Sequence, residues 1–201
     1  MQQRITEHGY HMNDDGYFVS MYHGVVSRGR GVERDIEAMS LLPKDYLLVV
    51  LGNGDKSYIS SLKKLCNTLD VEDRVVFHPE VPRDGLEAYV AAADVGLVTV
   101  EAISKSYYYM LPNKFFENVQ AETPLIASNF PETERLITKY GIGLTCNPSN
   151  PKEIAKCVRR LREDNELYTH IKESLKVAKQ ELCWENERKV LDEAYRRIIL
   201  S

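Results

Sequence analysis

Tyr46-Leu47-Leu48-Val49-Val50-Leu51-Gly52-Asn53-Gly54 is the stretch that decides the fold. Six apolar residues in an unbroken run, with no polar alternation, mark a strand buried on both faces, and such strands belong to parallel sheets covered by helices. Gly52-Asn53-Gly54 turns the chain, and Lys56 to Leu69 follows with Ile59, Leu62, Leu65, Cys66 and Leu69 on one helical face. Upstream, Tyr17 to Tyr22 is β-rich and ends at His23-Gly24, and Gly31 to Leu42 carries Val32, Ile36, Met39 and Leu42 at helical spacing before Pro43.

The alternation continues downstream. Strands are predicted over Arg74–His78, Val95–Val100, Pro124–Ala127 and Ile142–Thr145, with helices over Asp84–Ala92, Asn113–Ala121 and Glu132–Tyr140 between them. From Pro151 the chain reads only as helix, broken near Asp164-Asn165 and Cys183-Trp184, with Asn150 as a cap ahead of a first-position proline. The expected architecture is α/β: a Rossmann-like, doubly wound parallel sheet followed by C-terminal helices. Residues 1–16 read as a linker or tail, and residues 17–201 as one domain.

Composition narrows the function classes. A net charge of -4 gives no electrostatic case for nucleic acid as partner. No apolar run is long enough to span a bilayer, and the polar opening lacks a signal-peptide centre. Cys66, Cys146, Cys157 and Cys183 are scattered, without metal or redox spacing, and read as buried reduced thiols in a cytoplasmic protein. No His/Cys cluster has metal-binding spacing, Asp14-Asp15 and Asp164-Asn165-Glu166 follow no strand, and the clusters Arg159-Arg160-Arg162 and Arg196-Arg197 read as solvated faces.

In an open parallel sheet ligands bind beyond the carboxyl ends of the strands, so the loops there hold the candidate site. The first is Gly24-Val25-Val26-Ser27-Arg28-Gly29-Arg30-Gly31. It is either a solvated turn or a phosphate cradle, since Gly24 and, in the next loop, Gly52 let backbone approach an anion and Arg28 and Arg30 supply charge. The second is Leu111-Pro112-Asn113-Lys114-Phe115-Phe116-Glu117. A lysine in a first helical turn opposes the helix dipole unless an anion is near. Asn113 and Lys114 therefore face a phosphate, or Lys114 is merely solvated. Glu117, one turn on, is either a surface acid or an acceptor for two vicinal hydroxyls. Tyr107-Tyr108-Tyr109 stack on a sugar or base, or pack down the loop that carries them. His78, at a strand end before Pro79, reads as a structural hydrogen-bonder ahead of a base.

Taken in order, Leu48 to Gly54, Asp73-Arg74-Val75-Val76-Phe77, Val81-Pro82 through Ala91 to Leu97, Leu111 to Glu117, Pro124-Leu125-Ile126-Ala127-Ser128 and Pro131-Glu132 form a recognisable series. From about Tyr17 to about Leu200 the chain resembles the C-terminal, donor-binding domain of GT-B glycosyltransferases of family 4, the group 1 glycosyltransferases. The resemblance implies a hexosyltransferase-like enzyme that retains anomeric configuration, takes a UDP-, GDP- or ADP-sugar, and requires no cofactor or bound metal. It places Glu117 at the ribose, as the second acid of a Glu-x7-Glu motif, Arg30 at the pyrophosphate, and backbone of the His78 to Val81 loop, Pro79 included, at the base. Three positions depart from the family pattern: Tyr109 stands where the first acid contacts the donor sugar, Val25 where an arginine is common, and Glu122 where a small residue, usually glycine, precedes a strand. Asn113 and Lys114 are expected to replace the lost contacts. The acceptor would bind an N-terminal domain or subunit outside this chain, membrane contact would come only through that half, and the chain alone would bind donor but hardly catalyse. Two other readings stand beside this one: a GT-B sugar-nucleotide epimerase fragment, and a non-catalytic partner subunit of a glycosyltransferase.

Overall fold

The computed structural model describes residues 16–199. The linker-or-tail expectation for residues 1–16 falls outside them except at Gly16, as does Asp14-Asp15. Six strands form one parallel sheet in the order β3-β2-β1-β4-β5-β6: β1 Phe18–His23, β2 Tyr46–Leu51, β3 Val75–His78, β4 Val95–Val98, β5 Leu125–Ser128 and β6 Gly143–Cys146. This is the doubly wound sheet expected. Every residue of β1 and β2 is buried, and the two run in register from Phe18 opposite Tyr46 to His23 opposite Leu51. Their side chains part by alternation. Phe18, Tyr22, Leu48 and Val50 join the larger core, while Val19, Met21, Leu47, Val49 and Leu51 join a smaller one with Val90 and Ala93.

The chain winds outward from β1 through α1 (Val32–Met39) and α2 (Lys56–Thr68), then crosses back by α3 (Arg83–Ala91) to β4. The order therefore reverses between β1 and β4, which makes their exits the topological switch point. A five-residue helix α4 (Lys105–Tyr109), then α5 (Asn113–Gln120) and α6 (Pro131–Tyr140), complete the winding. α7 (Pro151–Glu163), α8 (Asn165–Glu181) and α9 (Trp184–Ile199) close the chain, broken where the sequence predicted. Asn150 caps α7 by accepting from Lys152 N at 3.1 Å.

Three expectations need correction. The stretch 101–112, read as loop, contains α4, which Ser104 caps by accepting from Tyr107 N; five residues with three tyrosines are too short to show a helical period. Arg159 and Arg162 are more than a solvated face. Arg159 donates to Leu41 O, and Arg162 pairs with Asp45 and covers the Tyr46 ring at 4.5 Å, tying α7 to the start of β2. All four cysteines are free, but only Cys66 and Cys146 are buried; Cys157 and Cys183 are half-buried. Glu122 stands at φ 55°, a left-handed conformation that explains why a glycine is usual there. Its carbonyl accepts from Lys172 and its carboxylate from Lys179, contacts that offset the strain.

Gly31 shows how tightly the switch point is closed. It has φ 91°, and a Cβ there would lie 2.1 Å from Thr99 O at the exit of β4. Gly31→Ala is expected to lower stability by about 2 kcal/mol, from left-handed strain plus the clash. Gly85 in the first turn of α3 has nothing within 4 Å of a Cβ, so Gly85→Ala should stabilise by roughly 0.5 kcal/mol. Urea unfolding of the two variants checks the opposite signs; equal effects would mean that the switch-point backbone has room to shift.

Candidate functional site

At the sheet's carboxyl edge the loop after β1 is strapped to its neighbours. Gly24 N donates to Leu51 O and Val26 N to Asn53 O, both at 2.9 Å, while Gly29 O accepts from Glu101 N at 3.0 Å. Gly52 N donates to His78 O at 2.9 Å, so the ends of β1, β2 and β3 form one continuous rim. A Cβ on Gly52 would lie 1.9 Å from Gly24 O, so only glycine lets these two turns meet. The rim brings Gly24, Gly52, His78 and Pro79 to a common edge.

Lys114 runs beneath this loop. It is 6% exposed, and its Cε lies 3.9 Å from where a Cβ on Gly24 would be. Its Nζ stands 3.4 Å above the Tyr22 ring and has no hydrogen-bond partner. Burial pulls its pKa down to about 7; Asp35 opposes that shift and the Arg30 charge adds to it. Asp35, on α1, is 1% exposed and accepts from Thr99 Oγ1 at 2.8 Å, with its other oxygen unpartnered. Burial raises its pKa to about 8, against the Thr99 hydrogen bond and the Lys114 charge. Lys114 is thus not the solvated lysine that its sequence position also allowed. It is a buried cation short of acceptors, with Arg30 close enough to repel it.

The two loop arginines part company. Arg28 lies over the Tyr58 ring of α2 at 5.3 Å, whereas Arg30, whose charge acts on Lys114, lies over the Tyr107 ring of α4 at 5.1 Å. Tyr109 is not brought to this cluster. It is 60% exposed at the end of α4, with its ring edge-on to Tyr108 at 4.9 Å. Both helices that begin at the switch point, α1 after Gly31 and α5 after Pro112, start without a side-chain cap. Their first backbone N–H groups are left for solvent or a ligand.

Glu117, one turn into α5, accepts from His23 Nε2 at 2.9 Å. His23 ends β1 and is 1% exposed. That hydrogen bond is the main cause of a lowered Glu117 pKa, with the charges of Arg83 and Lys114 helping against burial. The carboxylate is therefore ionised and can only accept. Asn113 and Glu117 also open onto a groove of about 750 Å³ with Arg83, Leu86, Phe116 and Trp184 on its walls. His78 and Pro79 lie further along the rim; His78 packs on Tyr89 at 5.5 Å, and its Nδ1 lies 2.7 Å from Pro79 O.

Sequence reasoning passed over His23, Asp35, Thr99 and Tyr22. The available signal was Asp35, an acid beside Ile36 on the apolar face of α1. Among the described residues no group of three His, Cys, Asp or Glu could hold a metal ion, and no helix is long and apolar enough to cross a membrane.

Comparison with known proteins places this arrangement. Residues 4–177 match the family described as glycosyl transferases, group 1. The chain is 28% identical over 153 residues to a probable glycosyltransferase, WbjE, of Pseudomonas aeruginosa, covering 74% of this chain and 36% of that protein. It is 24% identical over 177 residues to a D-inositol 3-phosphate glycosyltransferase of Xylanimonas cellulosilytica, covering 87% and 41% respectively. Among solved structures, sucrose-phosphate synthase from Thermosynechococcus elongatus superposes with a TM-score of 0.82 at 21% identity, over 96% of this chain and 50% of that one. HepE of Anabaena, in complex with UDP and glucose, does so with 0.76 at 17% identity, over 89% and 48%. The chain spans about half the length of these structures, and less of the curated relatives. The fold is that of one half of a GT-B glycosyltransferase, and with more than four-fifths of its residues matched the chain belongs to the group 1 glycosyl transferase family.

Proposed function

We propose that this chain is the donor-binding domain of a retaining glycosyltransferase that takes a nucleoside diphosphate sugar. The observation that carries the reading is Lys114: an ammonium buried at the switch point, beneath a glycine loop, with no hydrogen-bond partner. Burying a cation without acceptors costs stability. A bound anion supplies the missing acceptors, and two uncapped helix starts and Arg30 flank the same place. A pyrophosphate fits this set of donors. Arg30, Lys114 and the α1 and α5 N–H groups would stabilise the charge that grows on the leaving nucleoside diphosphate as the glycosidic bond breaks. Two cations so placed do the neutralising work for which other transferases use a divalent metal. Glu117 accepts from the ribose hydroxyls, and the rim at His78 and Pro79 meets the base. The acceptor binds the other half of the complete enzyme, and the reaction belongs in the cytoplasm. HepE, of the same fold, is described with UDP-glucose bound, which supports a nucleotide sugar as ligand here.

A second reading, a partner subunit that has lost its donor site, is favoured by Tyr109, which puts an exposed phenol where the family carries an acid. The retained Lys114 weighs against it, because a decayed site has no use for a destabilising buried cation. Calorimetric titration of the chain with UDP, GDP and ADP decides between them. At least one is expected to bind; no heat with any of the three at millimolar concentration would leave the partner-subunit reading.

Glu117 gives a finer test. Glu117→Ala removes both acceptor oxygens, whereas Glu117→Gln keeps one and the shape. The Ala variant should lose about 1 kcal/mol more nucleotide affinity than the Gln variant. Neither should lose affinity for a nucleotide lacking the ribose hydroxyls. Equal losses for ribo- and deoxyribonucleotides would make Glu117 a surface acid only.

A further inference from the structure

We propose that His23 is a positioning residue: buried at the end of β1, it holds one oxygen of the Glu117 carboxylate, fixes the other toward the vicinal hydroxyls of a ribose, and so makes the site selective for ribonucleotides. The proposal rests on the reading of Glu117 given above and adds the residue through which that selectivity is set.

A glutamate one turn into a helix has three rotatable bonds, and ordering it costs side-chain entropy. A hydrogen bond that fixes its rotamer before the ligand arrives removes that cost from binding. His23 is built for this. Its backbone is in register with Leu51 in the middle of the sheet, and its side chain is 1% exposed, so the imidazole has nowhere to turn. Nε2 lies 2.9 Å from Glu117 Oε2, while Nδ1 is buried without a partner. The carboxylate, held ionised, has no proton to give, so Nε2 carries the proton and donates it. Among the described residues His23 is the one hydrogen-bond partner of this carboxylate, whose side chain keeps 28% exposure. One oxygen is thus tied to the sheet and the group still reaches the ligand edge. In the sequence the two residues are 94 positions apart.

The test uses His23→Gln and His23→Asn. Glutamine places its amide N–H about where Nε2 stands, whereas asparagine places it near Nδ1, out of reach of Glu117. Affinities of the chain for the tightest-binding of UDP, GDP and ADP, and for its 2′,3′-dideoxy form, which lacks both hydroxyls, are measured by calorimetry in both variants, in Glu117→Ala and in His23→Asn/Glu117→Ala. His23→Asn is expected to weaken ribonucleotide binding about five- to tenfold and to leave the dideoxyribonucleotide within about twofold. His23→Gln should keep most of the affinity, and the double variant should bind no more weakly than Glu117→Ala. A full additional loss in the double variant, or equal losses for both nucleotides in His23→Asn, would make His23 a structural residue and overturn the proposal, even where Glu117→Ala still discriminates the nucleotides. If Glu117→Ala itself does not discriminate them, the ribose reading fails and the positioning role falls with it. Retention of the parent far-ultraviolet spectrum and unfolding transition in Gln and Asn variants separates these outcomes from misfolding.

Discussion

Lys114→Met should bind a nucleoside diphosphate about 10- to 150-fold more weakly than the parent chain, and should unfold at a higher temperature. The first effect is the loss of charge-assisted hydrogen bonds to phosphate, worth roughly 1.5–3 kcal/mol. The second follows from burial. An ammonium 6% exposed and without a hydrogen-bond acceptor destabilises the unliganded fold, and methionine fills nearly the same volume without a charge. Asp35, whose pKa is pushed up to about 8, is largely protonated at neutral pH and does not become an orphaned anion when the lysine is removed. Arg30→Ala should show a comparable loss of affinity with no gain in stability, since its guanidinium already lies on Tyr107 and is not fully buried. Both losses should shrink as salt is raised, because added ions screen the same attraction. Calorimetry at two ionic strengths and thermal melts of the three proteins provide the check. Unchanged affinity in both variants would remove the pyrophosphate from this place; a melting temperature lowered by Lys114→Met would mean that the lysine holds the fold together.

Nucleoside diphosphate affinity should fall about fivefold from pH 7 to pH 8 and approach tenfold per unit above that, so that pH 9 costs roughly 2.3 kcal/mol relative to pH 7. In the free protein Lys114 loses its proton at about pH 7. An anion bound beside it restores its proton, so binding above that pH takes up one proton. Calorimetry in buffers of different ionisation heat reads the uptake directly. Stability responds to the same pair with two opposite slopes. Asp35 titrates at about 8 in the fold against 3.8 when free, so between those values the native state holds the extra proton and stability falls as pH rises. Lys114 titrates at about 7 against 10.5, so between those values the unfolded state holds the extra proton and stability rises with pH. The pair's contribution is therefore lowest between about pH 7 and 8. The difference in melting temperature between the parent and Asp35→Asn/Lys114→Met should be greatest there and shrink on both sides. A pH-independent difference, together with binding that takes up no proton, would mean that neither group titrates in this range.

Much of this protein is decided by local chemistry that a single sequence displays. Tyr46 to Leu51 is apolar without alternation because β2 lies between β1 and β3 with helices over both faces, and burial on both sides leaves no position for a polar residue. Asn150 before Pro151 and the breaks near Asp164 and Cys183 act within a few residues of themselves, so they were legible as caps and ends. The placing of Gly24, Gly52, Lys114 and Glu117 at one edge followed from the rule that parallel sheets gather their loops at the carboxyl ends.

What the sequence could not decide is which side chains meet across the switch point. His23 and Glu117 are 94 residues apart, and Asp35 and Thr99 are 64. Their pairing depends on β4 lying beside β1, a consequence of the whole winding. Whether Lys114 is a solvated surface group or a buried cation is likewise not a property of its helix position, for both place it in a first turn. It is set by the Gly24 loop passing over it and the Tyr22 ring beneath it. The same is true of Tyr107 and Tyr109, neighbours but one in the chain, of which only Tyr107 touches Arg30. The sequence determined the sheet, its helices and the edge where a ligand belongs, because burial and turn formation act locally. The tertiary structure decided the charge state and the partners at that edge, because desolvation and hydrogen bonding depend on every segment that closes over a group.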